Sequence, residues 1–159
     1  METSPDEDSV AVPEPAPLSG CSSLELRKLS RRVSQQFDRV VAPAGLKTTQ
    51  YSLLAHIVQA GAIRPGELAD RLEMDASTLT RNLRPLLAQG WVQTSPGADG
   101  RSRVVRATAS GLEVRARAQR EWRKAQRAFI EQLGADRVRR LHAIIDECLQ
   151  AMGPAHRHP

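Results

Sequence analysis

The sequence predicts a mainly α-helical fold with one small β-hairpin, a winged helix-turn-helix flanked by long helices. Three observations predict it. Apolar residues recur at three- and four-residue steps through most of the 159-residue chain. Two short helical patterns near its middle are only a few residues apart, the spacing of a helix-turn-helix. The period then falls to two on both sides of a Pro- and Gly-containing turn, which reads as a hairpin, or wing.

Each element has its own justification. Residues 1–20 hold Glu2, Asp6, Glu7, Asp8 and Glu14, no Lys or Arg, and four of the ten prolines. Such a segment buries too little apolar area to offset its ordering entropy, so a disordered tail is expected. Leu26, Leu29, Val33, Phe37 and Val40 then mark an amphipathic helix of about 20 residues. It should end near Pro43-Ala44-Gly45. Thr48 or Thr49 can cap a second helix, through Tyr51, Leu53, Leu54, Ile57 and Val58 to Gly61. Arg64-Pro65-Gly66-Glu67 opens a short third helix with Leu68, Ala69 and Leu72 inward, its proline suited to the first turn.

Asp75 can cap a fourth helix, Ala76 to about Gln89, with an inner stripe of Leu79, Leu83, Leu86 and Leu87 and a stop at Gly90. Pro85 removes an N–H and crowds the carbonyl of Arg81, so a kink is expected in the last turns. Trp91–Thr94 and Arg103–Ala107 read as the two strands, with Ser95 to Gly100 supplying the turn. Thr108-Ala109-Ser110-Gly111 starts a long charged helix to about Leu133, on which Trp122 and Phe129 should share a buried face. A last helix, about Asp136 to Met152, carries Val138, Leu141, Ile144, Ile145, Cys148 and Leu149 at helical spacing. Cys148 on that stripe is expected in the core. Residues 153–159 read as a flexible tail.

Composition narrows the function. With five aromatic residues the core must be mostly aliphatic. No apolar run approaches a membrane span and no charged-then-apolar leader opens the chain. Two cysteines are too few for a disulfide scaffold, so a reduced, cytoplasmic protein with no membrane partner is expected. The net charge of +5 conceals an uneven distribution: residues 21–159 carry all 23 bases against 13 acids, a surplus of ten. A body so basic suits a polyanion. There is no Gly-rich phosphate loop, nucleophile elbow, Cys-x-x-Cys or His-Glu-x-x-His, so no catalytic residue, metal or cofactor is expected. His156 and His158 form a terminal pair too short to count as a metal site.

The chemistry sits on the fourth helix and the wing. Around its leucine stripe the helix offers Ser77, Thr78, Thr80, Arg81, Asn82 and Arg84. Hydroxyls can reach phosphates or base edges, and arginine is the commonest bidentate reader of guanine. In the hairpin loop, Arg101 and Arg103 fit the narrow minor groove, where negative potential is focused, and Asp99 can orient a nearby guanidinium. The run Arg115, Arg117, Arg120, Arg123, Lys124 and Arg127 should spread around its helix, as solvated faces or subunit contacts.

Leu68-Ala69-Asp70-Arg71-Leu72 through Ser77-Thr78-Leu79-Thr80-Arg81, then Asp99-Gly100-Arg101 and Thr108-Ala109-Ser110-Gly111, resemble the MarR (multiple antibiotic resistance regulator) family over about residues 22–152. The resemblance implies a homodimeric winged-helix repressor bound to double-stranded DNA at a near-palindromic operator. It implies a DNA-binding unit at 48–107 and a helical dimerisation region at 21–47 and 108–152. It further implies release by a small ligand, such as an aromatic or phenolic acid, or by cysteine oxidation. Arg31, Tyr51 and His56 are the candidate polar liners of an effector pocket. Cys21, just before the first helix, is the redox candidate, since a helix N-terminus favours the thiolate. A winged helix that binds proteins and not DNA is the reading from another class.

Overall fold

Helix begins where the proline-rich sequence ends. In the computed structural model, which describes residues 20–153, α1 spans Ser22–Val41 and passes into a 3-10 turn at Ala42–Ala44, closed by Gly45 at φ +83°. The two expected tails, apart from Gly20 and Gly153, lie outside the described residues. Then follow α2 (Thr48–Ala60), α3 (Pro65–Arg71), α4 (Ala76–Ala88), β1 (Val92–Pro96), β2 (Arg103–Ala107), α5 (Ala109–Leu133) and α6 (Ala135–Met152). β1 and β2 form one antiparallel pair with Val92 opposite Ala107 and Pro96 opposite Arg103. Pro65 stands in the first turn of α3, and α4 runs through Pro85 without a break.

The main core joins α2, α3, α4 and the hairpin. Leu53, Leu54, Ile57, Leu68, Leu79, Leu86 and Val105 are fully buried in it, and Val114 and Ala118 bring α5 against them. A smaller cluster of Phe37, Ala125, Phe129 and Val138 ties α1 to α5 and α6. Half-buried Trp122 packs against both clusters, with its ring centroid 6.5 Å from Phe37 and 6.1 Å from Tyr51. Gln36 Nε2 donates to Gln132 Oε1 at 3.0 Å, while Pro43 and Ala44 lie beside Arg117 and Arg120, so α1 and α5 run antiparallel.

Two backbone contacts fix the hairpin. Ile63, in the α2–α3 connection, pairs with Val105: its N–H donates to Val105 O at 3.1 Å and its carbonyl accepts from Val105 N–H at 2.8 Å. At the other end Gly111, in the first turn of α5, lies directly against Trp91. A β-carbon built on Gly111 would fall within 1.9 Å of the Trp91 carbonyl oxygen. Thr108 caps α5 through Gly111 N–H at 3.1 Å, and its own N–H donates to Trp91 O at 3.0 Å.

Four local expectations need correction. Thr48 and Thr49 do not cap α2. Lys47 holds the cap position, its N–H donating to Gln50 Oε1 at 2.8 Å, while Thr48 N–H is taken by Asp38 Oδ1 at 2.7 Å. The first strand starts at Val92 because Trp91 N–H closes the end of α4 on Leu86 O at 3.0 Å. Leu87 is exposed, since α4 turns only Leu79, Leu83 and Leu86 inward. Cys148 is exposed too, and with it Ile144, Ile145, Leu149 and Met152. Only Val138 of α6 is buried, because α5 covers just the first turns of α6. Leu24, Leu26 and Leu29 on α1 are likewise exposed. No described helix is long and apolar enough to cross a membrane.

Candidate nucleic-acid interface

The turn between α3 and α4 aims α4. Met74 N–H donates to Ala69 O at 2.9 Å, and Glu73 takes the left-handed region at φ +50°, letting the chain reverse in four residues. Asp75 then caps α4. Its Oδ1 accepts from the Ser77 hydroxyl at 2.6 Å and from Thr78 N–H at 2.7 Å, and its Oδ2 from the Thr78 hydroxyl at 2.7 Å. These donors, the Ser77 and Thr78 hydroxyls foremost, hold the exposed carboxyl well below the ordinary carboxylate range. Asp75→Ala should lower stability, as loss of an N-cap does. Denaturant midpoints measure it, and an unchanged midpoint would show that the cap is redundant.

At about 100° per residue, Ser77, Thr80, Arg81 and Arg84 share one face of α4. All four are exposed, and neither arginine has an ion-pair partner among the described residues. Thr80 Oγ1 donates back to Ala76 O at 2.8 Å. Thr78 and Asn82 lie on the shoulder of this face and are half-buried, Asn82 Nδ2 resting 3.8 Å from Met74 Sδ. The structure therefore brings four of the six expected α4 residues to an open face. Pro85 falls after the last of them.

The wing is organised around Asp99. Its Oδ1 accepts from the Ser102 hydroxyl at 2.6 Å, Ser102 N–H at 2.8 Å and Arg101 N–H at 3.1 Å. Ser102's bonds, then Arg101's N–H and the charge of Arg64, bring its pKa down to about 2. A depressed carboxylate favours the folded wing above its ordinary pKa of about 3.9 and loses that effect as pH falls through about 2. The wing staple is thus fully ionised at neutral pH. The guanidinium that Asp99 orients is Arg64, at 3.0 Å. Arg64 precedes α3 and is 35 residues away in sequence, so no local pattern announced it. Arg101 remains exposed without a carboxylate partner among the described residues, while Arg103 donates to Thr94 Oγ1 at 2.9 Å.

The expected effector residues are not gathered. Arg31 is exposed on α1. His56 is half-buried, its Nδ1 satisfied by Ser52 O at 2.8 Å. Tyr51 is buried against Trp122, and burial raises its pKa against the opposing charges of Arg115 and Arg123. The cations that reach Tyr51 thus come from α5. Arg115 Nη1 donates to Gln119 Oε1 at 2.6 Å, and its buried Nε has no partner among the described residues. Cys21 is exposed at the cap position of α1, its carbonyl accepting from Leu24 N–H at 2.9 Å.

The model of the MarR family matches residues 44–102, which run from the end of the 3-10 turn to the wing tip. The multiple antibiotic resistance protein MarR of Salmonella typhimurium is 31% identical over 132 residues, covering 79% of this chain and 92% of that protein. An HTH-type transcriptional regulator of Mycobacterium tuberculosis is 32% identical over 140 residues, covering 83% and 95%. Among solved structures, the M. tuberculosis transcriptional regulator MosR in complex with DNA superposes with a TM-score of 0.70 at 34% identity, covering 84% of this chain and 98% of that one. A cysteine-to-serine mutant of E. coli MarR complexed with operator DNA gives 0.73 at 23% identity, covering 80% and 92%.

Proposed function

Because the chain belongs to the MarR family of DNA-binding transcriptional regulators, not enzymes, we propose that it acts as a homodimeric repressor that reads a near-palindromic operator. The observation that carries this reading is the pairing of two open arginine surfaces. Arg81 and Arg84 stand beside Ser77 and Thr80 on one face of α4, and Arg101 stands at a wing tip stapled by Asp99. In this reading residues 48–107 form the DNA-binding unit. Arg81 reads a base in the major groove, helped by Ser77, Thr80 and Arg84. Thr78 and Asn82 set the helix's depth, Arg101 enters the minor groove, and Asp99 and Arg103 hold the wing's shape.

Residues 21–47 and 108–152 form the dimerisation region. Its support is the apolar stripe left open on α1 and α6, with Met152 80% and Ile144 57% exposed. A soluble chain seldom leaves such a surface uncovered.

The test separates reading from anchoring. Arg81→Ala should cost about 1–3 kcal/mol on the selected operator and relax preference at one base position. Arg101→Ala should weaken binding to all sequences and lower the salt slope by about one for each phosphate neutralised by that side chain. Quantitative operator titrations at several salt concentrations read both effects. If both variants bind as wild type does, the assignment of function fails.

A small aromatic acid is the effector this reading favours, and it is supported by the surroundings of Tyr51. The unpartnered Arg115 Nε and the Tyr51 phenol offer donors to a carboxylate, and Trp122 offers a ring to stack on. Arg31 and His56 have no part in that cluster. Release requires the ligand to bind one dimer geometry better than the other. The exposed thiol of Cys21 supports peroxide sensing as the competing switch. Operator binding by Cys21→Ser with and without hydroperoxide decides between them. If peroxide releases wild type and leaves the mutant bound, the switch is redox; if neither responds, it is not.

A further inference from the structure

The basic run on α5 does not spread around the helix as its sequence suggested. Arg115 alone turns toward the core side. Arg117, Arg120, Arg123, Lys124 and Arg127 fall within an arc of about 120°, opposite the buried Val114, Ala118, Ala125 and Phe129. All five are exposed, and the only ion pair among them, within the described residues, joins Lys124 to Glu121 at 2.8 Å. An open trough of about 540 Å³ runs beside Arg120, Arg123, Lys124 and Arg127, with Trp122 and Gln126 on its core-side wall. Neither α4 nor the wing touches this stripe, and the apolar stripe proposed for dimerisation lies on α1 and α6. The proposed DNA contacts leave this stripe unused.

We propose that the acidic segment ahead of Gly20 docks along this stripe and screens it from non-specific polyanions. The charges are complementary: five carboxylates and no Lys or Arg in residues 1–20, facing five cations within eleven residues of α5. Reach is sufficient. Because α1 runs antiparallel to α5, with Gln36 bonded to Gln132, Ser22 lies about 33 Å along the axes from Lys124 at about 1.5 Å per residue. Asp6-Glu7-Asp8 is joined to Ser22 by fourteen or more residues, a contour of about 46 Å, which leaves slack to cross the helix. Tethering supplies a high effective concentration, so contacts that are individually weak suffice at low salt. Exposed charges are screened at high salt, where the segment is released.

Amide resonances of residues 5–9 in the full-length chain, recorded at about 25 mM and about 500 mM salt, test this. Docking predicts that Arg120→Gln with Arg127→Gln moves them, at low salt, most of the way to their high-salt positions. Resonances that ignore the substitutions overturn the proposal. A second measurement uses a random duplex without an operator. Asp6→Asn with Glu7→Gln and Asp8→Asn should tighten its binding about tenfold at low salt, and the gain should vanish when the two α5 substitutions are added. A gain that persists there would mean that the segment acts through net charge alone, which also overturns docking. So would a fall in sedimentation mass of the α5 variant, which would make the stripe a subunit contact. The resonance readout involves no DNA, so its failure is distinct from failure of the operator reading.

Discussion

Gly111→Ala should destabilise the fold by about 3 kcal/mol or more, the upper range for overpacking. The added methyl meets backbone on the far side: 1.9 Å from the carbonyl oxygen of Trp91, 2.9 Å from its carbonyl carbon and 3.3 Å from its Cα. No rotamer change relieves such a contact. Trp91 O also accepts from Thr108 N–H, and Gly90 O accepts from the Thr108 hydroxyl at 2.7 Å, so the displaced strand loses the cap of α5 as well. The helix-propensity gain of alanine over glycine, about 1 kcal/mol, is too small to offset this. Thermal and denaturant midpoints give the measurement. A midpoint equal to wild type would mean that α5 and the base of the wing separate freely.

Ile145→Glu combined with Leu149→Glu should produce a folded monomer and weaken operator binding by at least about 100-fold. Both side chains are exposed in the protomer, so little intrachain packing is removed. Two carboxylates facing their own copies would be buried without partners, which an apolar interface does not tolerate. The affinity loss follows from connectivity: a dimer engages its second half-site at the effective concentration set by the first, worth about 10²–10⁴ in avidity. Sedimentation gives the mass and operator titration the affinity. A wild-type chain that sediments as a monomer, or a variant that stays dimeric with full affinity, removes the dimer from the proposal.

Local physics makes most of the fold legible. Asp75, Thr108, Gly45 and Gly61 mark helix ends through chemistry confined to a turn, and leucine spacing on α4 announces its buried face. Long-range pairings are hidden from such signals. Arg64 reaches Asp99 because the wing folds back over the start of α3, and Arg115 and Arg123 reach Tyr51 because α5 packs on α2. Arg31 is the cation that the first helix offers, yet α1 carries it away from the Tyr51 side chain's neighbours. The α4 hydroxyls show the same limit. Ser77 and Thr78 read as equivalent donors in the sequence, while in three dimensions both serve Asp75, Ser77 exposed and Thr78 half-buried. Apolar spacing on α6 predicts its helix correctly and misplaces only Cys148, which is exposed, since periodicity identifies a greasy face without saying which chain covers it.

The bridge between Ile63 and Val105 bears on how such a molecule can be switched. It gives β2 a second backbone partner at Val105, with β1 on one side and the α2–α3 connection on the other. The hairpin is therefore tied to the body at Val105, midway along β2, as well as at its stem. With Arg64 paired to Asp99 near its tip, the wing is held at two points by the segment that leads into α3. In the proposed regulator, a signal arriving at α1 or α5 would move the wing together with the α4 face. In the proposed dimer, what it would change is the pitch between the two subunits' wings and α4 faces, as calliper arms keep their jaws while the gap between them widens. Loss of operator affinity would then come from mismatched spacing against the duplex repeat, with each half-site grip left intact.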